Sequence, residues 1–117
     1  MAAPNIVNVT SIRGRSAVQN VTTVATAIVT NSAASGNVYK LNSLLISNVD
    51  GTNTANVSVD LFRSSQSYFI AHTIAVPADS TLDLLNKTIY LEEGDSLRIM
   101  ASANSDIHAV CSYEEIF

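Results

Sequence analysis

The chain has no tryptophan, one cysteine, two prolines, four glycines and two histidines in 117 residues, and only 14% of its residues are charged. Each shortage closes off a class of protein. With Cys111 as the single cysteine, an intrachain disulfide is excluded, so stability has to come from an apolar core or from neighbouring subunits. The longest apolar runs, around Ile28 and Leu44, fall far short of the ~18 residues a spanning helix needs, which argues against a membrane protein. Basic side chains are scarce. Six Lys and Arg against ten acids leave a net charge of −4, with no cluster denser than Arg13 and Arg15, which argues against a nucleic-acid or anionic-lipid partner. Met1-Ala2-Ala3-Pro4-Asn5 lacks the basic and apolar regions of a signal peptide, so no export signal is read.

What is present points to one folded domain spanning residues 1–117. Hydrophobic residues make up 47% of the chain, outside the composition of disordered chains, and the length suits a single core. Fifteen Ser, ten Thr and eleven Asn supply side chains that hydrogen-bond locally and suit turns and solvated strand faces. The dominant pattern is period-2 alternation rich in Val, Ile, Thr and Tyr, broken at short intervals by Gly, Pro, Asn, Asp or Ser. That predicts an all-β fold, an antiparallel β-sandwich of about eight strands, for which a jelly-roll-like arrangement is one solution.

The strands are expected as follows. Residues 5–12 form the first, ending at a turn of Arg13, Gly14 and Arg15. Residues 17–30 read two ways: Val18, Val21, Ala25 and Ile28 have helical spacing, but the density of β-branched residues favours a strand. Residues 31–37 are a loop. Residues 38–49 place Tyr39, Leu41, Leu45 and Val49 on one face and Val38, Leu44 and Ile46 on the other, the mark of a strand covered on both sides, with another subunit as one possible cover. Asp50-Gly51 signals a hairpin, with the loop extending through Asn53. Residues 55–63 then turn Val57, Val59 and Leu61 inward and Ser58, Asp60 and Phe62 outward. A turn over 64–67 leads to a strand at 68–76, stopped by Pro77. Residues 81–91 make one kinked strand or two short ones; Glu92 to Asp95 turn the chain; 96–102 and 107–116 close the domain. The first thirty residues either belong to the sandwich or form an arm or exchanged strand reaching a neighbour.

Candidate chemistry is thin. His72, His108 and Cys111 lack the paired spacing of a metal site, and His108 and Cys111, three apart on a strand, point to opposite faces. Cys111 lies in an apolar strand pattern where a buried, inert thiol is the expected state. Glu92, Glu93 and Asp95 around Gly94, and Asp50 with Asn53, have the residue types for Ca²⁺ or a general acid, yet suit solvated turns better. Four sequons, at Asn8, Asn20, Asn56 and Asn86, are little more than composition produces in so Asn-, Ser- and Thr-rich a chain. No catalytic, metal or cofactor site is expected, and the chain is read as a non-enzyme. A surface role is the better reading. Apolar residues on both faces of 38–49, an outward Phe62 and a chain ending on Phe117 mark Phe62, Phe117, Tyr39, Leu44 and Ile46 as candidate interaction residues.

Three segments carry a resemblance: MAAPNIVNVTSIRGR, SLLISNVDGTNTANVSVDLFRS and, above all, IYLEEGDSLRIMASANSDIHAVCSYEEI. They resemble small virion structural proteins of tailed bacteriophages, particularly those infecting marine cyanobacteria. The resemblance implies a β-sandwich module located in the virion, without enzymatic residues. Such modules decorate capsids or form neck and tail appendages; taken with the strand pattern and the lack of catalytic groups, the leading reading is a capsid decoration or cement protein, homo-oligomeric and bound to the major capsid protein or other virion subunits. A neck, tail or fibre component is the alternative. A host-surface module reading glycans through the loops 50–54 and 92–96 is a further one.

Overall fold

A computed structural model describes residues 5–117. The signal-peptide reading and the start of the N-terminal resemblance rest on residues 1–4, outside the described residues. Among the described residues there is no helix; nine strands form two antiparallel sheets, as the alternation predicts. They are β1 (Ile12–Val21), β2 (Thr26–Thr30), β3 (Val38–Asn48), β4 (Ala55–Arg63), β5 (Gln66–Val76), β6 (Thr81–Asp83), β7 (Ile89–Leu91), β8 (Ser96–Ala101) and β9 (Ile107–Ile116). The first sheet has the order β1-β9-β3, with β6 and β7 both paired to the far side of β3; the second has the order β2-β8-β4-β5. β6 pairs with Leu45 to Ser47 and β7 with Tyr39 to Leu41, so the two are halves of one interrupted edge strand.

The core lies between the sheets because alternate residues of each strand point there. Val57 and Val59 of β4, Leu97 and Ile99 of β8, and Ile107, Ala109 and Cys111 of β9 are buried, as expected from their alternation. From β3 come Leu41, Leu44 and Ile46. Each fully buried aliphatic side chain of this size contributes about 1.5–3 kcal/mol over its exposed state.

β3 departs from the expected two-faced pattern. Its ladder to β9 slips between Leu41 and Ser43, leaving Asn42 as the extra residue of a bulge. The bulge reverses the parity, so Leu41 before it and Leu44 and Ile46 after it all face inward, whereas Leu45 and Val49 face out. One sheet covers one face of β3; its apolar residues are not divided between two covers.

The N-terminal strands also differ from expectation. Residues 5–11 are not a strand: the Asn5 carboxamide accepts from Val7 N (3.0 Å) and its carbonyl from Asn8 N (2.9 Å), closing a turn. β1 starts only at Ile12 and runs straight through Arg13, Gly14 and Arg15, the expected turn. Its first five residues are exposed, so no hydrophobic alternation marks them; the ladder to β9 holds them. The expected strand 17–30 is broken at 22–25, where Thr23 N donates to Asn104 of the β8–β9 loop (3.0 Å). β1 and β2 are outer strands of opposite sheets.

Asp50-Gly51 does not make a hairpin, because β3 and β4 belong to different sheets and the loop crosses the end of the sandwich. Glu92 to Asp95, between β7 and β8, crosses in the same way. The tight hairpin joins β4 to β5: Arg63 pairs with Gln66, and Ser64 and Ser65 between them have φ of 52° and 60°. Those angles are what a two-residue turn between twisted strands needs, met here without Asn or Gly.

Crossing loops bring carbonyls into the interior, and two buried asparagines satisfy them. At one end Asn48 donates to Asn53 O (2.9 Å) and Val76 O (2.8 Å) and accepts from Asp50 N (2.9 Å). At the other end Asn31 donates to Asn37 O (2.9 Å) and Leu91 O (3.0 Å) and accepts from Ser35 Oγ. Each side chain ties two loops with groups that would otherwise be buried unpaired.

Candidate interaction surfaces

The outer face of the first sheet is built by register. Residues directly opposite across antiparallel strands share a face. Val18 of β1 stands opposite Val110 of β9, and Val110 opposite Leu45 of β3, giving an aliphatic row over three adjacent strands. Its members are 75%, 39% and 41% exposed, respectively. The flanking rows are polar: Ser16, Ser112 and Ser43 on one side, Asn20, His108 and Ser47 on the other. A shallow depression of about 340 Å³ runs along the β1 side of the row, lined by Val18, Gln19, Asn20, His108, Ala109 and Val110. The signal in the sequence was Val110, the one exposed aliphatic residue on the polar face of β9; Val18 was legible only once β1 was paired.

On the outer face of the second sheet an ion pair lies flat. Arg98 of β8 donates from Nε and Nη2 to the Asp60 carboxylate (3.2 and 2.8 Å) and from Nη2 to Ser67 Oγ (2.8 Å). Its guanidinium also stacks 3.8 Å from the centroid of the Phe62 ring. Asp60 and Ser58, expected to face outward, do so but are buried, Asp60 against Arg98 and Ser58 accepting from Thr73 N of β5 (2.9 Å). Phe69 and Met100 are exposed around this cluster, and Phe69 meets His72 edge to face at 4.6 Å.

The five candidate interaction residues separate. Leu44 and Ile46 lie in the core with no exposed surface, so neither can touch a partner. Phe62 is half-buried under Arg98. Tyr39 is half-buried against Tyr113, ring centroids 5.5 Å apart, and burial raises the pKa of both phenols. Phe117 docks on its own chain: its backbone exchanges hydrogen bonds with Ser11 (2.7 and 3.0 Å), and Arg13 sits 5.0 Å from its ring centroid.

The acidic candidates of the two crossing loops are held in structural roles. Asp95, almost wholly buried, accepts from Arg63 Nε (2.8 Å) and Nη2 (2.6 Å) and from Glu92 N (2.8 Å). Burial would raise its pKa, but the hydrogen bonds from Arg63 and Glu92 N and the charge of Arg63 outweigh it and hold the carboxyl below its ordinary range. Glu93 accepts from Gly36 N (3.0 Å), so the acidic turn is an anchor for neighbouring loops, not a solvated turn. Asp50 caps its own loop, accepting from Thr52 N (2.8 Å), and this bond and those from Asn53 keep its pKa low. His108 is exposed on the outer face and Cys111 is buried on the inner one, where burial pushes the thiol pKa up to about 11. The loops 50–54 and 92–96 lie at opposite ends of the first sheet, since 50–54 follows the Asn48 end of β3 and 92–96 follows Leu91 of β7, paired with Tyr39 at the other end. At ~3.4 Å per residue they stand ~30 Å apart and cannot close on one glycan.

No family model and no curated protein matches the chain. Among solved structures it is similar to a subunit of Bacillus endospore appendages, which form a family of disulfide-linked pili. That match has a TM-score of 0.54 at 15% identity and covers 91% of this chain and 86% of the other. It is also similar to a pentameric capsid protein from metagenomic phage sequences, with a TM-score of 0.47 at 16% identity, covering 84% of this chain and 60% of the other. At such identities the likeness to the appendage subunit is one of fold: an antiparallel β-sandwich over nearly the whole of both chains.

Proposed function

We propose that the chain is a non-enzymatic structural protein of a phage particle, a decoration or cement protein that stabilises the capsid through protein–protein contacts. The carrying observation is the exposed aliphatic row Val18–Val110–Leu45 across three strands of a rigid sheet, framed by serine, asparagine and histidine. A continuous apolar strip within a polar rim, closed at one end by Asp83 of β6 opposite Leu45, suits the centre of a protein interface, where burial contributes about 25 cal/mol per Å². The resemblance of three segments of the chain to virion proteins supports the particle as the setting.

The topology supports reading the sandwich as a jelly roll. With β6 and β7 counted as one interrupted strand, the orders β1-β9-β3-β6/β7 and β2-β8-β4-β5 are those of two interlocked Greek keys. The fold is shared with an appendage subunit, but disulfide linkage does not carry over, because Cys111 is buried. A neck, tail or fibre component is the second reading, favoured by the same surface if copies are few.

The test is add-back. Particles stripped of the chain should regain thermal or osmotic resistance when the purified protein is restored, and the double variant Leu45→Asp, Val110→Lys should restore none while unfolding at an unchanged temperature. Full restoration by the variant would remove the row from the interface.

A further inference from the structure

The two sheets have four edges, and three of them are guarded against pairing with another strand. β2 is five residues long with a bulge between Ala27 and Val29. β5 slips register twice against β4 and carries Thr73 at a φ of 48°. The β6/β7 edge is interrupted, its two pieces only three residues each. β1 has no such guard. Its ten residues pair with β9 in unbroken register, without a bulge or proline, and among the described residues β9 is its only partner strand. Bulges, short strands, breaks and edge charges are how edges are kept from pairing; Arg13 and Arg15 charge the start of β1, but the regular, uncharged stretch from Ser16 to Val21 has none of these and is ready to accept a strand.

The occupant follows from the same count. If β1 is the one open edge of the molecule, an edge-to-edge contact between two copies can only be β1 with β1, which is antiparallel, two-fold and closed. Charge and apolar surface then select the register. Pairings centred between Arg13 and Arg15 or on either residue set these like charges face to face. Centring the two-fold on Val18 sets Arg15 opposite the partner copy's Val21 and Ser16 opposite its Asn20, and brings the two Val18 side chains together. The row Leu45–Val110–Val18 then continues into its own image, an unbroken aliphatic line across six strands.

We propose that the protein forms a two-fold dimer through antiparallel β1–β1 pairing centred on Val18, joining the first sheets of two copies into one. Val18, the most exposed of the three aliphatic residues in the row, becomes its centre. The inference stands on edge geometry, charge placement and the aliphatic row, and holds whether or not the dimer enters a particle.

The test uses the full chain in solution, without particles. Sedimentation should give twice the 12.4 kDa chain mass. Under mild oxidation Val18→Cys should form a disulfide-linked dimer at least about tenfold more readily than Ile74→Cys on the guarded β5 edge, because residues facing across a two-fold in paired strands lie within disulfide reach. Cys111 is buried and stays out of the reaction. A monomer in sedimentation, equal crosslinking at the two sites, or crosslinking at Ser16→Cys instead of Val18→Cys would each overturn the proposal. None of these outcomes bears on particle binding, which the add-back experiment reads separately.

Discussion

Arg63 at the end of β4 and Asp95, the last residue of the loop before β8, meet through two hydrogen bonds, 2.8 and 2.6 Å, and this pair holds the β7–β8 crossing loop against the β4–β5 hairpin. Asp95 is buried whereas Arg63 is partly open to solvent. Removing the arginine strands a buried carboxylate, so Arg63→Ala should cost about 2–4 kcal/mol in denaturant unfolding, reduced from the roughly 3–5 kcal/mol of a fully buried pair because water reaches the arginine. Arg63→Lys should recover only part of this, since an ammonium cannot make the two-point contact.

The same pair sets a pH dependence. The folded pKa of Asp95 lies below its ordinary value of 3.8. The stabilisation is therefore complete above that ordinary value and is lost as pH falls through the lower, folded one. In urea titrations, the advantage of the native chain over Asp95→Asn should be constant near neutrality and shrink below about pH 4. A difference that grew on acidification would contradict the assignment.

Neighbours on β3 should behave oppositely. Leu44→Ala empties part of the core and should cost about 2–5 kcal/mol. Leu45→Asp changes an outward side chain and should shift unfolding by no more than about 0.5–1 kcal/mol, while abolishing attachment to particles. Equal destabilisation by the two would show that the bulge at Asn42 does not set the faces as described.

Asn48→Ala leaves the buried Val76 carbonyl, the Asn53 carbonyl and the Asp50 amide without their partner. The expected loss is about 2–4 kcal/mol in thermal unfolding, and Asn48→Leu, which fills the space but makes no hydrogen bond, should not rescue it.

Cys111 provides a probe of native closure. With its thiol pKa pushed up to about 11 by burial, it should label at least about 100-fold more slowly than a free thiol at pH 8 and at full rate in denaturant. Fast labelling of the folded chain would mean that the sheets open in solution.

The sandwich was legible where strands bury one face. Val57 and Val59, Leu97 and Ile99, and Ile107 and Ala109 announce themselves by alternation, and Pro77 marks the end of β5. What was not legible depended on partners distant in sequence. Arg13-Gly14-Arg15 reads as a turn because an edge strand exposed on both faces has no apolar period. Asp50-Gly51 reads as a hairpin because local turn chemistry does not say whether the next strand joins the same sheet or crosses to the other. Leu44 and Ile46 read as a second face because a single bulged residue, Asn42, reverses the parity of everything after it. The row on the first sheet was half visible: Val110 interrupts a polar face, but its alignment with Val18 and Leu45 exists only in the register of three strands.

The central claim is that the protein is a structural component of a virion's shell, and its copy number tests this most directly. Quantitative mass spectrometry of purified particles, scaled to the major capsid protein, should find the chain within a few-fold of that protein, on the order of hundreds of copies as shell symmetry requires. A count of about five to twenty would contradict decoration and place the protein at a neck or tail of cyclic symmetry. Its complete absence from particles would contradict the virion assignment itself.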